Sequence, residues 1–275
     1  MSELPRDTAI VHKPSATLTV DELLATESLI DRGYGYNVDD LDGRIDNVLT
    51  EYGFDDQTWP NVQNWFALQG DRVIGSIGAN VLDEDTTDQG RHFWNEIRNR
   101  LPLLHRQTAG NRRLAKIWGA VVDPGYQGLG LGGELYQTLA RELNVPLIDG
   151  QTRTPSSVAS RCRIPGYRHF LGHREVTNIP VGSRVHASGV LPPEVATIIE
   201  ITARMRHALV YQSFGGWTVG TDLLTPDIHD TRTFSPRIQN AFRKMQVYQS
   251  VLNRLPGNDQ TAVLPLISIR EEILS

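Results

Sequence analysis

Val121-Val122-Asp123-Pro124-Gly125-Tyr126-Gln127-Gly128-Leu129-Gly130-Leu131-Gly132-Gly133 is the stretch on which the fold turns. An apolar strand, Leu114 to Val122, runs into it. An amphipathic helix, Leu131 to Asn144, runs out of it with Leu135, Leu139 and Leu143 inward. Glycines let the backbone turn tightly and leave no side chain in the way. Successive N–H groups then point into one concavity, and the helix start adds the positive end of its dipole. Such a loop suits a pyrophosphate. The spacing Gly128-x-Gly130-x-x-Gly133 formally matches the dinucleotide fingerprint, and Asp149 lies roughly 20 residues on, where that fingerprint wants an acid. Two features speak against a dinucleotide. Asp123 to Gln127 separate the strand from the first glycine of the match, and the region upstream lacks a βαβ start.

Working outward, Thr8 to His12 reads as an opening strand. Leu18 to Arg32 reads as a helix, capped by Thr19 with Glu22 three residues on. A second helix is expected over Gly43 to Tyr52. Asn64–Gln69 and Arg72–Val81 read as two strands joined by a tight turn at Gly70-Asp71. Asp83 to Gln107 is polar, with a helix expected around Arg91 to Leu104. After the glycine loop and its helix come a short strand, Val145 to Asp149, a helix opened by Pro155, and a strand over Gly172 to Asn178. Pro193 to Tyr211 and the segment after Ser235-Pro236, with Ile238, Phe242, Met245 and Leu252, carry apolar helical stripes. Ala262 to Ile269 is a final apolar strand.

Composition sets the class. The chain has 275 residues, 39% apolar and 21% charged, as expected of a globular protein rather than a disordered or membrane one. A net charge of -5 with only short basic clusters such as Arg112-Arg113 argues against general nucleic-acid binding. One cysteine, Cys162, excludes an internal disulfide framework and disfavours a cysteine-based zinc site; no metal is expected. His169 and His173 are four apart, but Gly172 between them argues against a helical metal pair. The N-terminus lacks the apolar core of a signal peptide, and no stretch approaches the roughly 20 apolar residues that span a bilayer, so cytoplasmic residence is expected.

Val122-x-Pro124-x-Tyr126-Gln127-Gly128-Leu129-Gly130-Leu131-Gly132 resembles the main motif of the GNAT family of N-acetyltransferases, whose pattern of Gln or Arg, two residues, Gly, one residue, Gly or Ala is met by Gln127-x-x-Gly130-x-Gly132. The order of expected elements from Thr8 to Asn178 follows that family too. The resemblance implies an α/β fold with a mixed sheet and acetyl-coenzyme A as cosubstrate. It implies that Gln127, Gly128, Leu129, Gly130, Leu131, Gly132 and Gly133 hold the pyrophosphate. Ala120 and Val122, with Val121 between them, would pair with the pantetheine arm like an added strand. The Val122 N–H would face the thioester oxygen and stabilise the oxyanion. The acceptor, a small-molecule or peptide primary amine, would attack directly in a ternary complex, so no enzyme nucleophile is needed.

The chain departs from the family at its proton donor. The family often has a tyrosine several residues before a Gly-aromatic pair; counting back from Gly166-Tyr167 lands on Cys162. Cys162, Tyr167 or water is left to protonate the thiolate. Ser156 and Ser157 occupy the region of a family asparagine that touches the cofactor, with Ser157 the candidate. Asp83, Glu84, Asp85 and Asp123 are carboxylates within the expected reach of an amine, and Asp83 is the candidate base. Residues 1–180 are expected to form the acetyltransferase core. Residues 181–275 are expected to form a helical C-terminal extension whose strand, Ala262 to Ile269, follows the Gly172–Asn178 strand in the sheet. A homodimer exchanging that strand is the alternative arrangement. A non-catalytic acyl-coenzyme A sensor and a transferase of a longer acyl chain are the rival functions. Thiol release over an amine panel separates the first, and chain-length competition the second.

Overall fold

The computed structural model describes residues 7–34, 62–152, 154–172, 174–177, 187–188, 191–206, 225–226 and 262–274. The expected helix at Gly43–Tyr52 and the stripe after Ser235-Pro236 lie outside these residues. The described strands are β1 (Thr8–Pro14), β2 (Val62–Gln69), β3 (Arg72–Asp83), β4 (Arg113–Val122), β5 (Leu147–Asp149), β6 (Gln151–Thr152), β7 (Tyr167–Leu171), β8 (Arg174–Val176), β9 (Ala187–Ser188), β10 (Thr225–Pro226) and β11 (Ala262–Arg270). The helices are α1 (Val20–Tyr34), α2 (Asp88–Arg100), α3 (Pro102–Gln107), α4 (Leu131–Leu143), α5 (Pro155–Arg161) and α6 (Pro193–Arg206).

The sheet is mixed, in the order β1-β2-β3-β4-β5-β11-β7-β8-β9. All neighbouring pairs along it are antiparallel except β4 with β5. Two differences from the sequence expectation stand out. The helix expected around Arg91 to Leu104 is broken into α2 and α3, because Pro102 forces the residue before it out of the helical region: Leu101 sits at φ -134°, ψ 62°. The region after Pro155 holds a hairpin, β7 and β8, turning at Gly172, where one strand was expected.

Alternation along the strands divides the core. Leu82, Leu114, Leu147, Phe170, Ile267 and Ile269 point to one face, where α2, α3 and α6 contribute Phe93, Trp94, Ile97, Leu104, Ile198 and Ile199. Ile77, Ala115, Ile148 and Tyr167 point to the other, where α4 brings Leu131, Leu135 and Leu139. Beneath α5 a smaller group of Val158, Leu171, Val176 and Leu266 closes the end of the sheet. Helix α1 begins with the expected capping box: the Thr19 N–H donates to Glu22 Oε2 at 3.0 Å and the Glu22 N–H to Thr19 Oγ1 at 3.3 Å. Among the described residues no helix is long and apolar enough to cross a membrane.

Candidate functional site

Strands β4 and β5 run side by side for three rungs only: Leu114 with Leu147, Ala115 with Ile148, Lys116 with Asp149. Beyond Lys116 they part. On its other edge β4 stays paired with β3 as far as Val122, opposite Gly75. A bulge interrupts that ladder, since Gly78 faces Gly119 while Ala79 faces Ile117, leaving Trp118 as the extra residue. Trp118 is 38% exposed at the parting, so it is less buried than a core residue.

Backbone direction at the end of β4 follows from two contacts. The Asp123 N–H donates to Ile74 O of β3 at 2.9 Å. Successive residues of a strand point their polar groups to opposite edges, so the Val122 N–H and C=O face away from β3, toward the side β5 has left. The Gln127 side-chain amide donates to Val122 O at 2.9 Å, which places that carbonyl on the loop side independently. Ala120, two residues back, shares the Val122 orientation.

The loop itself is built on two left-handed residues. Gly128 has φ 87° and Gly130 φ 88°, conformations that a side chain would strain. Gly130 is also the N-cap of α4, and no side chain caps it, so the first N–H groups of the helix remain for a ligand. Gly132 and Gly133 serve a different need. A Cβ on Gly132 would lie 2.8 Å from Ser160 Oγ, and one on Gly133 would lie 2.6 Å from Arg163 Cδ. These two glycines let the end of α5 close onto the start of α4. Leu131 is buried and Leu129 exposed at the loop's tip.

A charged staple holds the approach to the loop. The buried Asp123 carboxylate accepts from Arg72 Nη2 at 2.9 Å, Arg32 Nε at 3.2 Å and the Gly125 N–H at 3.0 Å. Burial opposes ionisation there, but the Gly125 N–H and the two guanidiniums outweigh it and hold the carboxyl below its usual range. Tyr126 donates its hydroxyl to Gln69 Oε1.

The other sequence candidates are spread out. Cys162 ends α5 and packs with Val158, Leu171, Val176 and Leu266; burial pushes its thiol up to about 12, against a lowering from the Arg161 charge. Tyr167 donates to Val145 O and receives Arg270 Nε at 3.2 Å, so its hydroxyl is engaged beside the start of β5, the end opposite the parting. Burial raises it as well. Ser157 lies in the first turn of α5, its hydroxyl 3.0 Å from that of the N-cap Thr154. Asp83 pairs with Arg113, nine residues from Val122 along β4, or roughly 30 Å. Its carboxylate accepts the Asp85 N–H at 2.8 Å. The structure therefore brings residues 120–122 and 127–133 together and leaves Asp83 and Tyr167 apart from them.

The sequence reading missed a polar rung at the parting. Asn80, Lys116 and Asp149 stand in register on β3, β4 and β5. Each lies two residues from a leucine of the α2–α6 face, Leu82, Leu114 and Leu147, so the three side chains share that face. All are buried, Asp149 to 1% exposure. The signal was present: a lysine at an inward position of an otherwise apolar strand, and an aspartate closing another. Among the described residues no group of three or more His, Cys, Asp or Glu is arranged to hold a metal.

The sequence model of the Acetyltransferase (GNAT) family matches residues 34–144. Among curated proteins, none is similar enough in sequence to match. Solved structures with similar chains include the ribosomal-protein-S18-alanine N-acetyltransferase of Escherichia coli, 12% identical over 95% of this chain and 94% of that one, with a TM-score of 0.37. An acetyltransferase of Streptococcus agalactiae is 15% identical over 68% of this chain and 93% of its own, with a TM-score of 0.37. The polyamine N-acetyltransferase of Drosophila melanogaster is 18% identical over 67% and 95%, with a TM-score of 0.33. The matched segment spans the β2–β3 hairpin, the parting strand β4, the glycine loop and helix α4, and over these residues the chain is similar to the acetyltransferase (GNAT) family.

Proposed function

We propose that this protein is an acetyl-coenzyme A-dependent N-acetyltransferase that acetylates a primary amine by direct attack in a ternary complex. The observation that carries the reading is the pairing of a strand whose backbone faces an open gap with a loop that is left-handed at Gly128 and Gly130. The fit is physical. Residues 127–133 offer backbone N–H groups to a pyrophosphate, and Ala120 and Val122 offer strand polar groups to an extended amide-bearing arm. Acetyl-coenzyme A, when bound, supplies an acyl group activated as a thioester. The Val122 N–H is directed to donate to the acyl oxygen, a preorganised donor where negative charge develops. Ser157, at the start of α5, is a further candidate contact for the arm.

The chain's own groups manage the protons. At neutral pH the Cys162 thiol holds its proton, and we retain it as the candidate donor to the departing sulfur. The carboxylate on the last paired rung is Asp149, and it, rather than Asp83, is our candidate to receive a proton from an amine entering on the α2–α6 face. We further propose that residues 1–180 carry the catalytic machinery and that residues 181–275 complete its sheet, with β11 inserted between β5 and β7. The reading as a sensor without turnover draws support from one observation, the apolar packing of Cys162.

Thiol release from acetyl-coenzyme A over a panel of polyamines, amino acids and peptides tests the reading. We expect release with at least one amine, and its loss in Gly130→Val, where a β-branched residue would have to adopt φ 88°. Tight acetyl-coenzyme A binding by calorimetry with no thiol release from any amine would favour the sensor. Unchanged cofactor binding in Gly130→Val would sink the loop assignment itself.

A further inference from the structure

We infer that the acceptor is a peptide, held where one of its backbone amides donates to Asn80 Oδ1 in a cleft between α1 and the α2–α6 pair. The inference rests on the transferase reading above and names the acceptor class for it. It begins from the backbone. Gly78 of β3 and Gly119 of β4 face each other across the ladder. Gly78 alternates in step with Asn80 and Leu82, so the two glycines lie on the α2–α6 face. A Cβ on Gly119 would meet nothing within 4 Å, and Gly119 is exposed although β4 has β3 and β5 on either side. The pair is a floor without side chains.

Helices wall this floor. Gly33, in the last turn of α1, abuts the Val121 side chain at one end. At the other, Phe93, Trp94 and Ile198 of α2 and α6 cover Leu82 and Leu114. The Trp118 indole, 38% exposed, stands at the bulge with the Lys116 ammonium 5.4 Å from its ring centre. The cleft thus runs over β4 from the buried rung of Asn80, Lys116 and Asp149 toward Val121. Asn80 is on β3, one to two strand spacings from the gap beyond β4, or roughly 5–10 Å. Two or three residues of extended peptide, at about 3.3 Å each, cover that distance.

The chemistry of the rung selects what lies there. Asn80 is 7% exposed, and its Oδ1 has no hydrogen-bond donor among the described residues. A buried carbonyl oxygen in that state is costly, and a ligand N–H would remove the cost. Lys116 and Asp149 stand beside it in register, one charge of each sign. An ammonium has three donors and a carboxylate about four acceptor sites, so contact between them leaves capacity on both. The second ammonium of a polyamine would add an uncompensated cation against Lys116. The carboxylate of a free amino acid could meet Lys116, but such a ligand brings no amide N–H for Asn80. A peptide amide adds no charge: its N–H meets Asn80 Oδ1 and its C=O accepts from the Lys116 ammonium.

The test is calorimetry of the full chain loaded with coenzyme A, against tetra-alanine amide, its single N-methyl analogues, alanine and spermidine, with thermal melts as the check on folding. We expect the peptide to bind more tightly than alanine or spermidine, and one N-methyl analogue to lose about tenfold. Asn80→Leu should weaken the peptide about tenfold and erase that analogue's deficit. It should melt no lower than wild type, because it removes a buried oxygen that has no donor. A purely structural asparagine would not link the two losses. If Asn80→Leu does not fold, the N-methyl series on wild type decides alone. Equal affinity for every N-methyl analogue, tighter binding of spermidine, or wild-type peptide affinity in folded Asn80→Leu would overturn the inference. Thiol release with polyamines only would also overturn it and leave the transferase reading standing. The expected binding pattern without thiol release from any amine would sink the transferase reading and leave the peptide cleft.

Discussion

His169 sits in an environment that opposes its ionisation. It stands on β7, only 6% exposed, with Nδ1 2.9 Å from Ser268 Oγ of β11. Burial, and after it the positive charge of Arg161, lowers its pKa from 6.5 to about 4. The folded chain thus holds a neutral imidazole where the unfolded chain binds a proton below about 6.5. Stability contributed by this difference is intact above pH 6.5 and is lost as pH falls toward about 4. At about 1.4 kcal/mol for each pH unit between the two values, roughly 3 kcal/mol disappears across that window. His169→Asn keeps a polar group opposite Ser268 and removes the titration. Urea melts at pH 7 and pH 4.5 should then show a smaller acid loss in His169→Asn than in wild type. Equal losses would mean that other groups carry the acid sensitivity.

Between elements, Asp123 is the tie that fixes the approach to the glycine loop. It joins the last turn of α1 through Arg32, the start of β3 through Arg72, and the loop's own first turn through Gly125. Asp123→Asn keeps the acceptor for Gly125 and removes the charge. Arg32 and Arg72 have side chains 40% and 57% exposed, so water screens the pairs, and the expected loss is about 1 kcal/mol. The larger effect belongs on acetyl-coenzyme A affinity, because the loop is no longer pinned from three sides; unaltered melting and unaltered Kd would remove Asp123 from this role. Because its folded pKa is lowered, the stabilisation is present at neutral pH and is lost as pH falls through that lowered value. The loop was legible from residues alone because glycine spacing, strand and helix are all local. The β2–β3 turn was legible for the same reason, with Gly70 at φ 58°. Strand β7 was not, since Arg168 and His169 interrupt its apolar pattern and find Glu175 and Ser268 only once the sheet is formed. The rung of Asn80, Lys116 and Asp149 is likewise a product of register between three strands.

Across the whole molecule, the placement of β11 has the widest consequences. Its apolar character announced a strand, but pairing between distant segments is not written in any local pattern. It was expected beyond the Gly172–Asn178 strand, and instead it runs between β5 and β7. Ser268 and Ile269 pair with Ile148 and Leu147, residues 266–270 pair along β7, and Leu264 and Pro265 pair with β6. Ile267 and Ile269 are then buried beside Leu147 and Phe170, while Leu266 joins the group beneath α5. A chain ending at Gly189 would lose this central strand together with α6. β5 and β7, which do not pair with each other, would each present a row of unpaired backbone groups, and Leu147 and Phe170 would face water. We expect such a chain to be insoluble. Fragment 191–275 co-expressed with it should restore solubility, because strand pairing does not require a covalent link. Failure of that rescue would indicate that the fragment cannot fold into the gap. A soluble 1–189 chain with cooperative melting and full acetyl-coenzyme A binding would show that β11 is dispensable to the sheet it divides.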